Sequence, residues 1–458
     1  MMPPLVAACG RQLPAWLLTA AFVLAGLLLA VVIVQGSFFT SLLVLGALVV
    51  LTIGLAHPET ALYLLLFAML LSPEFGQRTA AGSGGSGVTL RLDDFLLVLL
   101  GLSWLTRMAI EKELGVFRHT PMNGPIFLYF AVCLAATAVG VLVGSVRPLR
   151  GFFYLLKYFE YYFIYFMAAN HLRDRGQAAR FVVAMLCTCL IIDIFGLLQI
   201  PSGERVTAPF EGNSGEPNTL GGYLVLMTAL STGLALYLPR PSLTLPLWLL
   251  SGLNLIVLLY TRSRGSYLAF LAMFLTLLAM TRRSKLLLVG AALVILGLFA
   301  LPEVVRERIA YTFMPQATRH TVVGSVALDP STSARIEGWQ HGLAAFFRRP
   351  LLGHGVTGYG FVDSQYLLLL LDCGLLGLLA FFAQIRKLLA VSWHNWRHGG
   401  DGLQQGLTAG FIAGTVGLLV HGVSANTFVI VRIMEPFWFL AALAVLLPTL
   451  PPRPEEAR

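Results

Sequence analysis

Leu351–Phe382 reads LLGHGVTGYGFVDSQYLLLLLDCGLLGLLAFF. Its second part is an apolar run of the length that crosses a bilayer as helix, about 20 residues. Its first part closes a polar interruption between Leu301 and Phe361 that carries Arg306, Arg308, Arg319, Arg335, Arg348 and Arg349. Comparable apolar runs recur along the chain, which is 57% hydrophobic and 12% charged, with a mean hydropathy of +0.80. Soluble domains carry about 25% charged residues, so lipid is the main solvent here. Lipid cannot satisfy an open sheet edge, and this leaves an all-α, polytopic transmembrane helix bundle.

The apolar runs predict about fourteen spans (12–14), near 14–34, 38–56, 59–72, 93–107, 124–144, 150–168, 179–200, 218–237, 244–260, 265–280, 285–301, 361–385, 404–422 and 429–448. Five regions follow: N-terminal spans over 1–200, central spans over 201–301, a large extracytoplasmic loop over 302–360, C-terminal spans over 361–448, and a disordered, Pro-rich tail over 449–458. Leu13–Val34 exceeds a signal-peptide core and reads as a retained helix. Short loops rich in arginine and lysine belong in the cytoplasm. They hold Arg107, Lys112 and Arg118; Arg173, Arg175 and Arg180; Arg282, Arg283 and Lys285; and Arg386, Lys387 and Arg397. Both termini then lie inside, while the Pro201–Pro217 turn, the Gly82–Gly87 linker and the 302–360 loop lie outside. The expected location is the inner (cytoplasmic) membrane.

The net charge of +9 is spread over inter-helix turns rather than a basic domain, which excludes nucleic acid as partner. Cys9, Cys133, Cys187, Cys189 and Cys373 lack metal-ligand spacing and read as small buried hydrophobes. Within the loop, Pro302–Phe313 predicts a short helix. Ser333 predicts the N-cap of a second, Ala334–Phe347, with Arg335, Trp339 and Leu343 on one face lying along the membrane surface.

Several residues are candidates for chemistry. Arg262 and Arg264 flank Ser263 at an outer turn, where they either snorkel to headgroup phosphates or clamp a diphosphate. Arg147 and Arg150, at another outer turn, are further clamp candidates. Arg335, at a helix start, addresses an anion or a solvated face. Arg348 and Arg349, before Pro350, predict a helix-end cap. Asp363 and Asp372, nine apart, predict one face of one helix. Asp363 is either a catalytic base or a helix cap, and His354 is either an acid–base group or part of a turn. Lys157 and Glu160 predict an ion pair, and Asp93 with Asp94 a helix cap.

Arg335, Trp339, Pro350-x-x-Gly353-x-Gly355, Asp372 and Gly374-Leu-Leu-Gly377 together resemble the core of the O-antigen ligase and O-antigen polymerase superfamily. Glu216–Leu224 and Ser263-Arg264-Gly265 resemble two further stretches of it, so the likeness spans roughly 200–445. The resemblance implies inverting glycosyl transfer, without metal or cofactor, from an undecaprenyl-diphosphate-linked glycan to a glycan or lipid A-type acceptor. It implies diphosphate binding at Arg264 and Arg335. Ligases of the family often carry a histidine where this chain has Asp363-Ser364. The alternative is a transporter or flippase of lipid-linked sugars.

Overall fold

The computed structural model describes residues 49–50, 52–54, 56–72, 74–75, 90–111, 118–209, 215–281, 322–323, 326–327, 330–360 and 362–452, with 46, 303 and 306 besides. The expected spans at 14–34 and 285–301, most of that at 38–56, the Gly82–Gly87 linker, the 302–313 helix and the end of the tail lie outside these residues.

Twelve α-helices carry the described fold: α1 (Pro58–Leu71), α2 (Leu92–Glu111), α3 (Asn123–Leu142), α4 (Pro148–His171), α5 (Arg175–Gln199), α6 (Pro217–Tyr237), α7 (Pro241–Tyr260), α8 (Arg264–Met280), α9 (Pro330–Phe346), α10 (Gln365–Arg397), α11 (Gly402–His421) and α12 (Val431–Leu446). Two antiparallel ribbons of two residues a side, Glu74–Phe75 with Leu90–Arg91 and Val322–Val323 with Val326–Ala327, are the strands among the described residues. Helix starts are written locally. Proline opens α1, α4, α6 and α7, where its missing N–H costs nothing. Asp174 and Asp401 cap α5 and α11 by accepting from the N–H of Gln177 and Gln404.

Seven of these helices, α3, α5, α6, α7, α10, α11 and α12, are long and apolar enough to cross a membrane. The shorter α1 and α8 are apolar too. α6 and α12 form the centre, buried over 89% of their apolar windows, whereas α3 and α7 are buried over only 33% and 28%. Leu134 and Val139 on α3 and Leu245, Leu249 and Ile256 on α7 are accordingly exposed, as lipid-facing residues should be. Glycines on α11 let α6 approach closely. A Cβ on Gly406 would lie 2.8 Å from the Leu234 Cα, and one on Gly410 2.5 Å from the Ala229 carbonyl oxygen.

Charged residues also enter the bundle. Arg91 donates to Asp93 and lies 3.2 Å from Glu435 of α12. Arg432 donates to the Leu70, Ser72 and Pro209 carbonyls, covering the end of α1. The expected Lys157–Glu160 pair forms at 3.0 Å, and Lys157 also pairs with Asp94. Asp93 and Asp94 lie in the first turn of α2 rather than at its N-cap, which corrects that expectation; Asp94 instead accepts from the Arg91 N–H that precedes the helix. Of the cysteines, Cys133, Cys189 and Cys373 are buried as expected, but Cys187 faces outward.

The decisive element is α10. A continuous span near 361–385 is expected, yet the helix begins at Gln365, runs to Arg397, and breaks at Gly374 (φ 66°, ψ −163°). The break frees backbone groups that the 350–355 segment satisfies. Leu375 and Leu376 donate to the carbonyls of Pro350 and Leu351, and His354 and Gly355 donate to those of Leu371 and Asp372. Gly353 (φ 64°) and Gly374 both sit against backbone: a Cβ on Gly374 would lie 2.3 Å from the Leu351 carbonyl. The spacing of Pro350, Gly353, Gly355 and Gly374 is thus a packing requirement. It corrects the placing of Asp363 and Asp372 on one helix face, because Asp363 precedes the helix and Asp372 sits at its break.

Gly374→Ala should therefore cost about 2–4 kcal/mol, combining overpacking with left-handed backbone strain. Thermal unfolding in detergent checks this, and Gly252→Ala on α7, where a Cβ meets nothing within 4 Å, should leave the midpoint unchanged or raised.

Candidate active site

α6, α8 and α10 begin, and α11 ends, at the same end of the bundle. Three positive helix termini there favour an anion. α9 begins at Pro330, so Ser333 lies inside the helix, which corrects its expected role as N-cap. Arg335 and Trp339 are one turn apart and bracket residue 363. Arg335 Nε lies 3.5 Å from Asp363 Oδ2, and Trp339 Nε1 donates to the Asp363 carbonyl at 3.3 Å. Trp339 and Phe346 pack on Ala345, Val362 and Leu371, while Leu343 and Phe347 stay exposed. The α10 N-cap is Ser364, without a side-chain cap bond, so Asp363 is not spent as the cap.

Two residues further, Gln365 joins this site to α11. Its N–H donates to the Gly422 carbonyl at 2.9 Å, and its Oε1 accepts from the Phe428 N–H at 2.8 Å. The neighbouring His421 is fully buried and continues the link, with Nδ1 2.7 Å from Thr427 Oγ1 and Nε2 3.2 Å from Ser266 Oγ. Ser266 Oγ donates to Ser263 Oγ, and Ser263 Oγ to Asn218 Oδ1, both at 2.7 Å. Ser263 also caps α8, which puts Arg264 in its first turn. The stretches around Asn218, Ser263–Gly265 and Asp363 therefore meet around His421–Gly422.

The remaining candidates have other duties. Arg262 adopts φ 52° and donates to the Gly203 carbonyl at 2.9 Å, while Arg205 donates to the Thr261 carbonyl at 3.0 Å. These two arginines fasten one loop to another. His354 places Nε2 3.2 Å from the Ala345 carbonyl, and its own carbonyl accepts from Ser145 Oγ at 2.7 Å. Nε2 is therefore engaged with backbone. Arg349 donates to Ser145 Oγ at 3.1 Å, so it fastens the same turn beyond its helix end. Arg147 is exposed, and Arg150 sits 5.9 Å from the centre of the Tyr154 ring. The 145–150 turn is thus brought to the His354 segment.

Residues 245–382 match the family model described as O-antigen ligase. The match is a likeness to that family over less than a third of the chain. No curated protein matches the chain. The matched segment runs from α7 to the first half of α10 and holds Arg264, Arg335, Asp363, Gly353, Gly355 and Gly374. Asn218 and His421 lie outside it but hydrogen-bond to its Ser263 and Ser266 from α6 and α11.

Sequence reasoning passed over His421 and Gln365. A histidine closing an apolar run such as Gly402–His421 is itself a signal, because ionisable groups at membrane depth seldom lack a task. His421→Ala would leave the Ser266 and Thr427 hydroxyls without that partner in a buried place, at about 1–3 kcal/mol. The unfolding midpoint should fall accordingly, and His421→Gln should recover part of it.

Proposed function

We propose that this protein is a membrane glycosyltransferase of surface-polysaccharide assembly. The reading takes the end that carries Arg335 as the outer one. Arg118, Arg173, Arg175 and Arg397 gather at the other end, where the basic loops of a membrane protein belong. The donor is a glycan on undecaprenyl diphosphate, and the acceptor is a glycan or a lipid A-type lipid.

In this mechanism the acceptor hydroxyl attacks the anomeric carbon on the face opposite the diphosphate. The bond from carbon to phosphate oxygen breaks, the diphosphate leaves with the electron pair, and the configuration inverts. Arg335 and Arg264 stabilise the charge growing on the departing group. Asp363 takes the hydroxyl proton. The Arg335–Asp363 pair is long, at 3.5 Å, and its side chains are 24% and 41% exposed. Such a pair contributes at most about 1 kcal/mol. An incoming diphosphate, with more charge and more acceptor oxygens, draws Arg335 off Asp363 and leaves that carboxylate free to act as base. His354, held to backbone, supports the site. Asp363, standing where ligases often carry histidine, favours the polymerase form.

The observation that carries this reading is the meeting of the Asn218, Ser263–Gly265 and Arg335–Asp363 stretches around His421. A transporter of lipid-linked sugars is the second reading, favoured by the buried Arg91–Glu435 pair and the partly buried Lys157–Glu160 pair. Reconstitution in vesicles with a lipid-diphosphate oligosaccharide separates the two. Linkage of glycan without net translocation is expected; translocation without linkage would reverse the assignment.

A further inference from the structure

At the end of the bundle opposite Arg335, a cavity of about 500 Å³ opens between the start of α3 and the ends of α10 and α12. Arg118, His119, Lys387 and His394 line it beside apolar Val445 and Leu446, and none of its lining residues is acidic. Like charges do not gather in a concave site without cost. His119, Lys387 and His394 are exposed, and Lys387 has no ion-pair partner among the described residues. Arg118 is steadied from behind, with its N–H donating to Asn170 Oδ1 at 3.0 Å and its guanidinium to the Leu172 carbonyl at 3.4 Å. A fixed guanidinium, a solvated ammonium and an apolar wall together match a phosphate group attached to hydrocarbon. None of these residues touches the site around Asp363.

We propose that this cavity is a binding site for a phosphate-bearing anion, set apart from the transfer site. The shared chemistry is a phosphate oxygen held between Arg118 and Lys387, with His119 and His394 at the mouth. An anionic phospholipid of the adjoining leaflet brings hydrocarbon to Val445 and Leu446, whereas inorganic phosphate does not. The His394 ring lies 4.3 Å from that of His398 between centres, tilted by 33°.

The test uses the full-length protein in nanodiscs and reads bound lipid by native mass spectrometry, independent of any glycan transfer. Phosphatidylglycerol is titrated against a phosphatidylcholine background, and inorganic phosphate is titrated separately with the unfolding midpoint as readout. Saturable phosphatidylglycerol binding that weakens roughly thirtyfold in Arg118→Gln/Lys387→Gln, about fivefold for each cation removed, supports the lipid source. Stabilisation by inorganic phosphate alone, lost in the same variant, supports a soluble phosphate ligand. Should that variant fold poorly, Lys387→Gln/His394→Gln changes two exposed side chains and keeps the comparison. Arg240→Gln is the control, an exposed cation at the same end of the bundle but outside the cavity. Equal weakening in Arg240→Gln, or the absence of both a phosphatidylglycerol preference and stabilisation by inorganic phosphate, overturns the proposal. Transfer activity that fails while lipid binding holds would count against the proposed enzyme and leave this site standing.

Discussion

Arg335→Ala is expected to abolish surface polymer while the protein stays at normal abundance in the membrane fraction. The side chain sits on the second turn of α9, partly exposed, with a long contact to Asp363 as its ion pair. Its removal therefore barely touches the core formed by Ala345, Val362 and Leu371. Loss of one donor from a site that stabilises a departing anion typically costs about 10²–10³ in rate. Arg335→Lys keeps the charge but not the planar fork, so it should restore a small part of the rate and no more. Polysaccharide ladders from cells expressing each variant, with membrane levels checked in parallel, give the answer. A full ladder from Arg335→Ala would remove the diphosphate clamp from the mechanism.

Asp363→Asn should be at least as damaging, at roughly 10²–10⁴ in rate, because the amide keeps the shape but cannot accept the proton. Stability should hardly change, since the carboxylate is 41% exposed and its pairing is long. Asp363→His is the informative companion, as it puts the residue of many ligases at this position. Activity with Asp363→His but not Asp363→Asn would show that proton transfer is what the position supplies. Retained activity in Asp363→Asn would shift the role of base to another group, with His354 the first to test. If the two groups act as one unit, the Arg335→Ala/Asp363→Asn double variant should be little worse than either single one.

The apolar runs made the helical bundle legible, because period and length in lipid admit few other solutions. Where a run kept its charges paired, as with Lys157 and Glu160, the contact could be read as well. The break in α10 could not. Leu367–Leu371 before Gly374 and Leu375 and Leu376 after it read as one continuous span. Only the backbone bonds to Pro350 and Leu351 reveal why a glycine sits there.

Asp363 and Arg335 were legible as candidates, each from its charge beside an apolar helix. Their partnership was not, because it depends on how α9 folds back over the start of α10. His421 stayed hidden for a related reason: its partners, Ser266 and Thr427, come from separate elements that meet only in the folded bundle.

The Arg91–Glu435 contact joins residues 344 positions apart. During synthesis, Arg91 enters the membrane long before Glu435 has been made. Until then its guanidinium has Asp93 and the Met69 carbonyl as company, but no acid from α12. The same holds for the end of α1, whose carbonyls wait for Arg432. The last helix is therefore a keystone, and chains that stop before Val431 should be prone to degradation by membrane quality control even though every earlier segment is intact.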